Sequence, residues 1–233
     1  MITQALILAA GRGERLRPLT NHCPKALVEV GGRALLDWHL LKLAQADIEH
    51  VVINTHHLAA QLHAHVGDGS AYGMKVQFSD EQPQALETLG GIVHAQRLLR
   101  DEPFVLINAD VYSDTDYRQL VTAQLHADGP QALLLLVPNP AHHPHGDFSI
   151  HDGMLASADS QQTWTYSGLV AMHPALLEGI PDDGTPRPLA PLLQAKAEQN
   201  LIAADLLSGA WHDVGTPERL AACRLQLIET PTA

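Results

Sequence analysis

Glycines and basic residues lie close together near the N-terminus, in the segment LILAAGRGERLRPLTNHCPK at residues 6–25. Gly11 and Gly13 lack a Cβ, so the backbone can turn tightly there and bring its N–H groups against phosphate oxygens. An arginine can hold two phosphate oxygens through parallel hydrogen bonds, and a lysine supplies a compact positive charge. The basic residues of the segment are Arg12, Arg15, Arg17 and Lys25. A single G-x-G is more often a simple tight turn, but the strand, glycines, arginines and Pro-Lys pair in succession favour a site for a nucleoside triphosphate.

Two common phosphate-binding motifs do not fit this segment. A Walker loop needs Gly-Lys-Ser/Thr after four intervening residues, whereas Leu16 follows Gly11 at that distance. A dinucleotide-binding fingerprint needs a small residue in place of Leu16 and an immediate helix, which Pro18 interrupts. The loop is therefore of another kind.

Two aspartates follow short apolar runs farther along the chain. Asp110 ends the sequence FVLINAD, and Asp213 lies in WHDVGTPE, just before a helix that Thr216-Pro217-Glu218 would open. In open α/β sheets, ligands bind at the carboxyl ends of the strands, where both carboxylates are expected. Taken alone, either residue could equally be a helix cap or a turn aspartate.

The N-terminal segment resembles the signature of the sugar-nucleotide pyrophosphorylases, a nucleotidyltransferase family, which reads L-A-A-G-x-G-[ST]-R-[LM]-x-P-L-T followed by P-K. The departure is Glu14, where Ser or Thr is commoner. The matching residues are Leu8, Ala9, Ala10, Gly11, Gly13, Arg15, Leu16, Pro18, Leu19, Thr20, Pro24 and Lys25. A match of this length is far more specific than a lone glycine motif.

The resemblance implies roles for individual residues. Arg15 and Lys25 are expected to be catalytic, Arg15 on the β- and γ-phosphates and Lys25 on the α-phosphate and the leaving pyrophosphate. Asp110 and Asp213 are expected to hold Mg²⁺, which prefers hard oxygen ligands, although Ala109 replaces the usual glycine. The positions expected to bind the nucleotide are Ala10, Gly11, Arg12, Gly13, Lys25, Gln82, Thr88 and Gly90.

The acceptor side is expected to lie on later segments of the chain. Glu87 replaces a glycine of the family's L-G-T-x-G loop, and in isolation it could simply stabilise a helix N-terminus. Many relatives carry a second lysine for the acceptor phosphate in an E-K-P segment, whereas the corresponding run here, Val137–Pro140, has none. The residues expected to bind the acceptor are Asn54, Glu87, Asn108, Gly146, Asp147, Ser167 and Gly168. Three histidines follow in one loop, His142, His143 and His145, and without H-x-x-x-H spacing they are expected to be solvated rather than zinc ligands.

Composition narrows the possible partners. The net charge is −12 with neutral histidines, which argues against nucleic acid or an anionic membrane surface as the main partner. Two cysteines, Cys23 and Cys223, are too few for a disulfide framework. The N-terminus does not read as a signal peptide, and the longest apolar run elsewhere, Ala132–Val137, is far below the ~20 residues of a membrane-spanning helix. We therefore expect a soluble cytoplasmic protein, either a monomer or a small homo-oligomer.

Short β-rich runs alternate with longer helical patterns, which is typical of a largely parallel sheet covered on both faces. The predicted strands are Ala5–Ala9, His50–Asn54, Lys75–Ser79, Phe104–Asn108, Ala132–Val137 and, near the end, Leu201–Leu207. The predicted helices are Ala34–Ala46, Leu58–Val66, Leu89–Leu99, Tyr117–His126, Leu192–Glu198 and a last one from Thr216. The fold class is α/β, a single Rossmann-like three-layer domain with a mainly parallel mixed sheet and a small β-rich insertion. Residues 1–137 are expected to bind the NTP, and residues 138–233 to supply the sugar-phosphate insertion and closing elements.

The implied function is transfer of a nucleoside monophosphate from an NTP to a sugar 1-phosphate, with release of pyrophosphate. The sequences NADV, LETLGG, NPAHHPHGDF and WHDVGT resemble the bacterial branch that transfers UMP from UTP to N-acetylmuramic acid 1-phosphate in cell-wall recycling. Two alternatives stay open. One is thymidylyl or guanylyl transfer to another hexose 1-phosphate, and the other is a non-catalytic sugar-nucleotide sensor or regulatory subunit.

Overall fold

The computed structural model describes residues 1–158 and 162–229, which contain thirteen β-strands and six α-helices. The strands are β1 Gln4–Leu8, β2 Glu29–Val30, β3 Arg33–Ala34, β4 His50–Thr55, β5 Lys75–Asp80, β6 Phe104–Asn108, β7 Val111–Ser113, β8 Ala132–Val137, β9 Phe148–His151, β10 Met154–Ser157, β11 Thr165–Met172, β12 Ile202–Leu206 and β13 Trp211–Asp213. The helices are α1 Leu35–Gln45, α2 Ala59–Val66, α3 Glu87–Gln96, α4 Arg118–Val121, α5 Ala190–Glu198 and α6 Pro217–Glu229. None of the helices in these ranges has the length and apolar character needed to cross a membrane.

Nine of the strands form one sheet in the order β5-β4-β1-β6-β11-β8-β12-β10-β9. The first four are parallel, with β1 paired to β4 on one side and to β6 on the other. The chain runs from β1 outward through β4 and β5 and then returns to the opposite side of β1 to form β6. The order therefore reverses between β1 and β6, and a crevice opens at such a switch point, beyond the carboxyl ends of the strands.

The other half of the sheet is mixed. β11 is antiparallel to both β6 and β8, and β12 is parallel to β8. The strands of the predicted insertion, β9 and β10, form a hairpin that joins the sheet through β12. The expected α/β fold with a mainly parallel mixed sheet is confirmed.

The sheet is buried on both faces, which explains why its central strands are continuously apolar rather than alternating. On β1, Leu6 packs into the hydrophobic cluster of one face and Ile7 into that of the other, and both are fully buried. On α1, Leu36, Leu40 and Leu43 are fully buried against the sheet, as the helical spacing predicts. These clusters form the core around which the site loops are anchored.

One predicted helix is wrong in its extent, because the segment Tyr117–His126 is helical only over Arg118–Val121. The Val121 carbonyl accepts a hydrogen bond from the N–H of Ile2 at 2.9 Å, a partner outside the helix. The Arg118 carbonyl accepts from both the N–H of Thr122 at 3.1 Å and the Thr122 hydroxyl at 2.7 Å, and such side-chain bonds often accompany a bend or an end of a helix. A long-range contact with the N-terminus, which the local pattern does not contain, therefore lies where this helix ends.

Candidate active site

The loops that follow β1 and β6 line a cavity of about 230 Å³ at the switch point, called here the first cavity. The loop after β1 contributes Ala10 and Gly11, and the end of β6 contributes Asn108 and Asp110. Further lining residues come from the 3₁₀ turn at Lys25–Leu27 and from the start of α3. Four of the residues expected to bind nucleotide therefore meet here, namely Ala10, Gly11, Lys25 and Thr88.

A buried side-chain network holds the loop after β1 in place. The Asn54 Oδ1 accepts from the backbone N–H groups of Ala9 at 2.6 Å and Ala10 at 3.2 Å, and its Nδ2 donates to Glu81 Oε1 at 2.6 Å. The second Glu81 oxygen accepts from the N–H of Leu86 at 2.7 Å. Burial raises the pKa of Glu81, while these two hydrogen bonds act in the opposite direction. Asn54 was expected to bind the acceptor; in the structure its side chain contacts the loop after β1 and also lines the first cavity, and its role toward the acceptor stays a prediction.

Gly11 and Gly13 of this loop differ in backbone conformation and in the space around them. Gly13 has φ +61°, and a Cβ there would approach Thr20 Cγ2 to 2.8 Å and Lys25 Cβ to 3.2 Å. The Thr20 hydroxyl also donates to the Gly13 carbonyl at 2.7 Å, which closes the turn. Gly11 has neither a positive φ nor any protein atom within 4 Å of such a Cβ, and it lines the first cavity. Gly13 is therefore required by the turn itself, whereas Gly11 keeps its backbone open to a ligand.

A lysine and an aspartate face each other in the first cavity. The Lys25 Nζ donates to Asp110 Oδ2 at 2.5 Å, and the Lys25 side chain is only 10% exposed. A close pair of this kind is charge-assisted and directional. The pair places a fixed positive charge and a carboxylate together where the β1 and β6 loops meet, and the roles expected for both residues stay predictions.

A second cavity, of about 390 Å³, adjoins the first and shares Asn108 and Asp110 with it. Its walls carry three carboxylates and two arginines. These charged residues are Arg15, Asp110, Asp147, Asp213 and Arg219, and His142, His143, Ser167 and Gly168 also line the cavity. Arg15, expected on the triphosphate, thus lies on the side of Asp213 rather than in the wall of the first cavity.

Asp110 and Asp213 are brought together by a short two-stranded ladder. β13 pairs antiparallel with β7, so that Asp213 lies opposite Val111, the residue after Asp110. The N–H of Val214 donates to the Asp110 carbonyl at 3.0 Å and extends the ladder by one bond. The aspartates lie far apart in sequence, and this ladder fixes the distance between their backbones.

Asp213 also contacts basic groups. Arg219 Nη1 donates to its Oδ2 at 2.6 Å, and His142 Nε2 lies 3.7 Å from the same oxygen. Burial lowers the pKa of His142, and the nearby Arg219 charge lowers it further, although Asp213 acts in the opposite direction. Each expected metal-binding carboxylate therefore has a basic partner of its own, Lys25 for Asp110 and Arg219 for Asp213.

The residues expected on the acceptor side surround a bulge in β11. The register of β11 against β8 shifts between Tyr166 and Val170, and Gly168 there has φ +83°, with space for a Cβ blocked by Asn108 Nδ2 at 2.9 Å. Bulges often re-aim side chains next to active sites. The Ser167 Oγ, however, accepts from the N–H of Leu169 at 3.1 Å within the bulge.

Asp147 is held by two donors, His143 Nε2 at 2.9 Å and the N–H of Tyr166 at 2.8 Å. Gly146 has φ +60° and little room for a side chain beside Asn139. These contacts fix Asp147 at the boundary between the second cavity and a third one of about 480 Å³.

The third cavity also contacts the α3 loop, through Glu87 and Thr88. Glu87 has φ +57°, a conformation that residues other than glycine rarely adopt. Tyr166 lines this cavity and the second one, and its hydroxyl is buried with no hydrogen-bond partner in the described part of the chain. An unpaired buried hydroxyl at a cavity wall is a candidate ligand contact.

Four residues expected to bind nucleotide lie outside the walls of these cavities, and one of them is Gly13, which forms the turn described above. Arg12 is exposed, with Nη2 3.5 Å from His56 Nε2, and Gln82 is exposed beside Pro83. Gly90 is buried, and a Cβ on it would come within 3.0 Å of the Thr185 carbonyl, so its packing role is evident. Their roles toward a nucleotide remain predictions.

Sequence reasoning missed Glu81, Tyr166 and Arg219 and treated His142 and His143 as solvated. Both histidines contact carboxylates of the second cavity. Arg219 had a usable signal, since it stands six residues after Asp213 and three after the Thr216 that opens α6, where one helical turn directs a side chain back toward the helix start. Glu81 had no comparable signal in the sequence, because its partner Asn54 lies on β4 and meets it only in the folded sheet.

The sequence and the fold of the chain are both similar to those of known proteins. The model of a family described as "Nucleotidyl transferase" matches residues 4–152. An N-acetylmuramate alpha-1-phosphate uridylyltransferase of Neisseria meningitidis serogroup B is 41% identical over 93% of this chain and 95% of its own length. One of Caulobacter vibrioides is 36% identical over 97% of both. A solved structure of UDP-glucose pyrophosphorylase with UDP-glucose superposes with a TM-score of 0.77 at 17% identity, over 98% of this chain and 99% of that chain, and shows the same fold. With a family model over more than half of its residues and two relatives matched nearly end to end, the chain belongs to the nucleotidyl transferase family.

Proposed function

We propose that this protein transfers UMP from UTP to N-acetylmuramic acid 1-phosphate, giving the UDP-sugar and pyrophosphate. The observation that carries the proposal is the pair of adjoining cavities, which share Asn108 and Asp110 and each contain an ion pair between a basic side chain and a carboxylate. Such an arrangement can hold two phosphorylated substrates with their reacting groups side by side. The uridylyl and muramate choices are supported by the two relatives whose names state that activity.

The chemistry needs no enzyme nucleophile. An oxygen of the acceptor phosphate attacks the α-phosphorus of UTP in line, the new P–O bond forms, and the bond from the α-phosphorus to the bridging oxygen breaks. Its electron pair leaves with pyrophosphate. Lys25, fixed by Asp110 in the first cavity, stabilises the negative charge that grows on the α-phosphate and the leaving group. Arg15 is proposed to hold the outer phosphates. Catalysis then rests on positioning and on charge stabilisation.

Asp110 and Asp213 fit a Mg²⁺ ion. No group of three or more His, Cys, Asp or Glu residues within residues 1–158 and 162–229 forms a ready cation site. Magnesium commonly takes only one or two carboxylates and completes its shell with substrate phosphates and water, which suits two aspartates on one short ladder. When bound, the ion would neutralise phosphate charge between the two substrates.

The finer assignments belong to the same proposal. Glu87, Asp147 and the hydroxyl of Tyr166 are proposed to contact the sugar in the third cavity. Residues 1–137 are proposed to bind the nucleotide and the later residues the sugar phosphate. The proposed setting is cell-wall recycling in the cytoplasm, in keeping with the proposed UTP and N-acetylmuramic acid 1-phosphate substrates.

A substrate matrix tests the proposal. Purified protein with Mg²⁺ is mixed with each of UTP, dTTP, GTP, CTP and ATP against the 1-phosphates of N-acetylmuramate, N-acetylglucosamine, glucose and mannose. Pyrophosphate release and product mass are measured, with Asp110→Asn as the inactive control. We expect UTP with the muramate acceptor to react fastest. Activity only with dTTP and glucose 1-phosphate, or with GTP and mannose 1-phosphate, would establish the alternative transfer, and nucleotide binding without release would indicate a sensor.

A further inference from the structure

The segment in which related enzymes carry an acceptor-phosphate lysine lies against Arg219. Val137, Pro138 and Pro140 of this segment line a groove together with His142 and Arg219. No residue of the segment is basic, so it supplies no positive charge for a phosphate. The nearest fixed positive charge in that groove comes from α6 instead.

Arg219 is held so that its guanidinium reaches the site. Its N–H lies 3.4 Å from the Thr216 Oγ1 in the first turn of α6, and its side chain turns back over Gly215 toward Asp213. A Cβ on Gly215 would overlap the guanidinium, so the glycine leaves the space that the arginine occupies. The path of this side chain therefore depends on the D-V-G-T sequence that precedes the helix.

The guanidinium has more donors than its partners use. Nη1 binds Asp213 at 2.6 Å, whereas Nε is buried without a hydrogen-bond partner in the described residues. An unpaired buried donor is costly, and a guanidinium can serve two acceptors at once because its donors form a rigid fork. An anion beside Asp213 could take the remaining donors after a small rotation of the side chain.

We propose that Arg219 binds the phosphate of the sugar 1-phosphate and replaces the missing lysine, with His142 beside it. This inference rests on the proposed function. Arg219 lines the second cavity together with Asp147 and Ser167, which are expected on the acceptor side, and it is absent from the walls of the first cavity, where Lys25 lies. Arg15, proposed for the outer phosphates of UTP, lines the same cavity, so the two phosphate groups would lie close together there. A phosphate there would be flanked by Arg219 and by any cation held between Asp110 and Asp213, so its two negative charges would be compensated.

The test compares Arg219→Ala and Arg219→Lys with Arg224→Ala. Arg224 lies on the same helix, is exposed, and donates to the Glu29 carbonyl at 2.9 Å outside the site. The KM values for UTP, Mg²⁺ and each accepted sugar 1-phosphate are measured. Binding of the acceptor to enzyme saturated with Mg²⁺ and α,β-methylene-UTP is measured by calorimetry, which does not depend on turnover. Thermal unfolding is used to check that each variant is folded. If Arg219→Ala does not fold, Arg219→Lys is used in its place, because it keeps the positive charge but loses the fork of guanidinium donors.

For Arg219→Ala we expect the KM and Kd of the acceptor to rise about 10- to 100-fold, since charge-assisted hydrogen bonds to phosphate are lost. The factor should be the same for every accepted sugar, because the phosphate is common to them. The KM for UTP should stay within about 2-fold, and the half-saturating Mg²⁺ should not rise, because Asp213 loses a competing cation. Arg219→Lys should fall between the wild type and Arg219→Ala, and Arg224→Ala should match the wild type.

Unchanged acceptor binding, or a rise confined to the UTP or Mg²⁺ requirement, would overturn the inference and make Arg219 an anchor for Asp213 or a triphosphate ligand. An effect on one sugar only would place it on the sugar instead and equally overturn it. Failure of the proposed function looks different, because the wild type would then turn over no sugar 1-phosphate at all.

Discussion

Replacement of Asn54 by alanine separates the positioning of the phosphate loop from the stability of the fold. The Asn54 side chain is 2% exposed and makes three hydrogen bonds, two from the backbone of the loop after β1 and one to the buried Glu81 carboxylate. At about 1 kcal/mol for each backbone bond and about 2 kcal/mol for the bond to a carboxylate, the sum is about 4 kcal/mol. Partial relaxation reduces this to about 3 kcal/mol, which corresponds to a Tm lower by roughly 6–12 °C for a domain of this size.

Gln4→Ala provides a matched control. Gln4 is fully buried at the other end of β1, and its side chain also makes three hydrogen bonds, to the backbone of Arg100 and Glu102. Its loss should cost a similar free energy of unfolding, about 3 kcal/mol. It lies at the amino end of the strands, away from the cavities, so it should not disturb a bound nucleotide.

Calorimetric titration with UTP and Mg²⁺ then distinguishes the two variants at a temperature where both are folded. We expect the Kd for UTP to rise about 10-fold or more in Asn54→Ala, because no side chain then holds the Ala9 and Ala10 amides of the loop in place. In Gln4→Ala the Kd should rise less than about 2-fold. An equal loss of affinity in both would show that general destabilisation explains it. Unchanged affinity in Asn54→Ala would refute the positioning role.

Three further changes can be checked by unfolding and steady-state kinetics. Burial lowers the pKa of His39 to about 4, against about 6.5 in an unfolded chain. Neutral His39 should therefore stabilise the fold fully above pH 6.5, and about 3 kcal/mol of the free energy of unfolding should be lost as the pH falls toward 4. A His39→Gln variant whose stability has the same pH dependence as the wild type would contradict this. Glu87→Gly should relieve the backbone strain of the positive φ at this position and so raise the Tm by roughly 2–4 °C. The KM for the acceptor should also change, because the Glu87 side chain lines the third cavity. A lower Tm would show that the positive φ is not strained here. Tyr166→Phe should leave the Tm unchanged or higher, since its buried hydroxyl has no partner in the described residues, and should raise the acceptor KM several-fold; an unaffected KM would exclude the hydroxyl as a ligand contact.

The sheet and its loops were predictable because local signals determine them. Strands buried on both faces read as apolar runs, so Phe104–Asn108 and Ala132–Val137 were predicted with the boundaries that the structure shows. The turn at Gly13 could be predicted because its positive φ favours glycine, and a glycine is present in the sequence. In contrast, the segment Tyr117–His126 has a helical pattern, but the helix ends at Val121, whose carbonyl accepts a long-range bond from Ile2.

The partners of the site residues were less predictable, because they depend on strand order. Asn54 meets Glu81 only through the pairing of β4 with β5, and Asp213 meets Asp110 only through the ladder of β7 and β13. Which strands pair with each other cannot be predicted from the residues of a single sequence in either case. Motif resemblance could name the two aspartates but could not show that Arg219 binds one of them.

The central proposal is tested most directly by the rate of pyrophosphate release from UTP and N-acetylmuramic acid 1-phosphate, in the wild type and in Lys25→Ala. Lys25 lies in the first cavity, 2.5 Å from Asp110, and it is proposed to stabilise the charge on the leaving pyrophosphate. With folding confirmed by thermal unfolding, we expect Mg²⁺-dependent release in the wild type and a rate at least about 100-fold lower in Lys25→Ala, in line with the loss of one electrostatic stabiliser. No release by the wild type, or a near-normal rate in Lys25→Ala, would contradict the proposed reaction and its site.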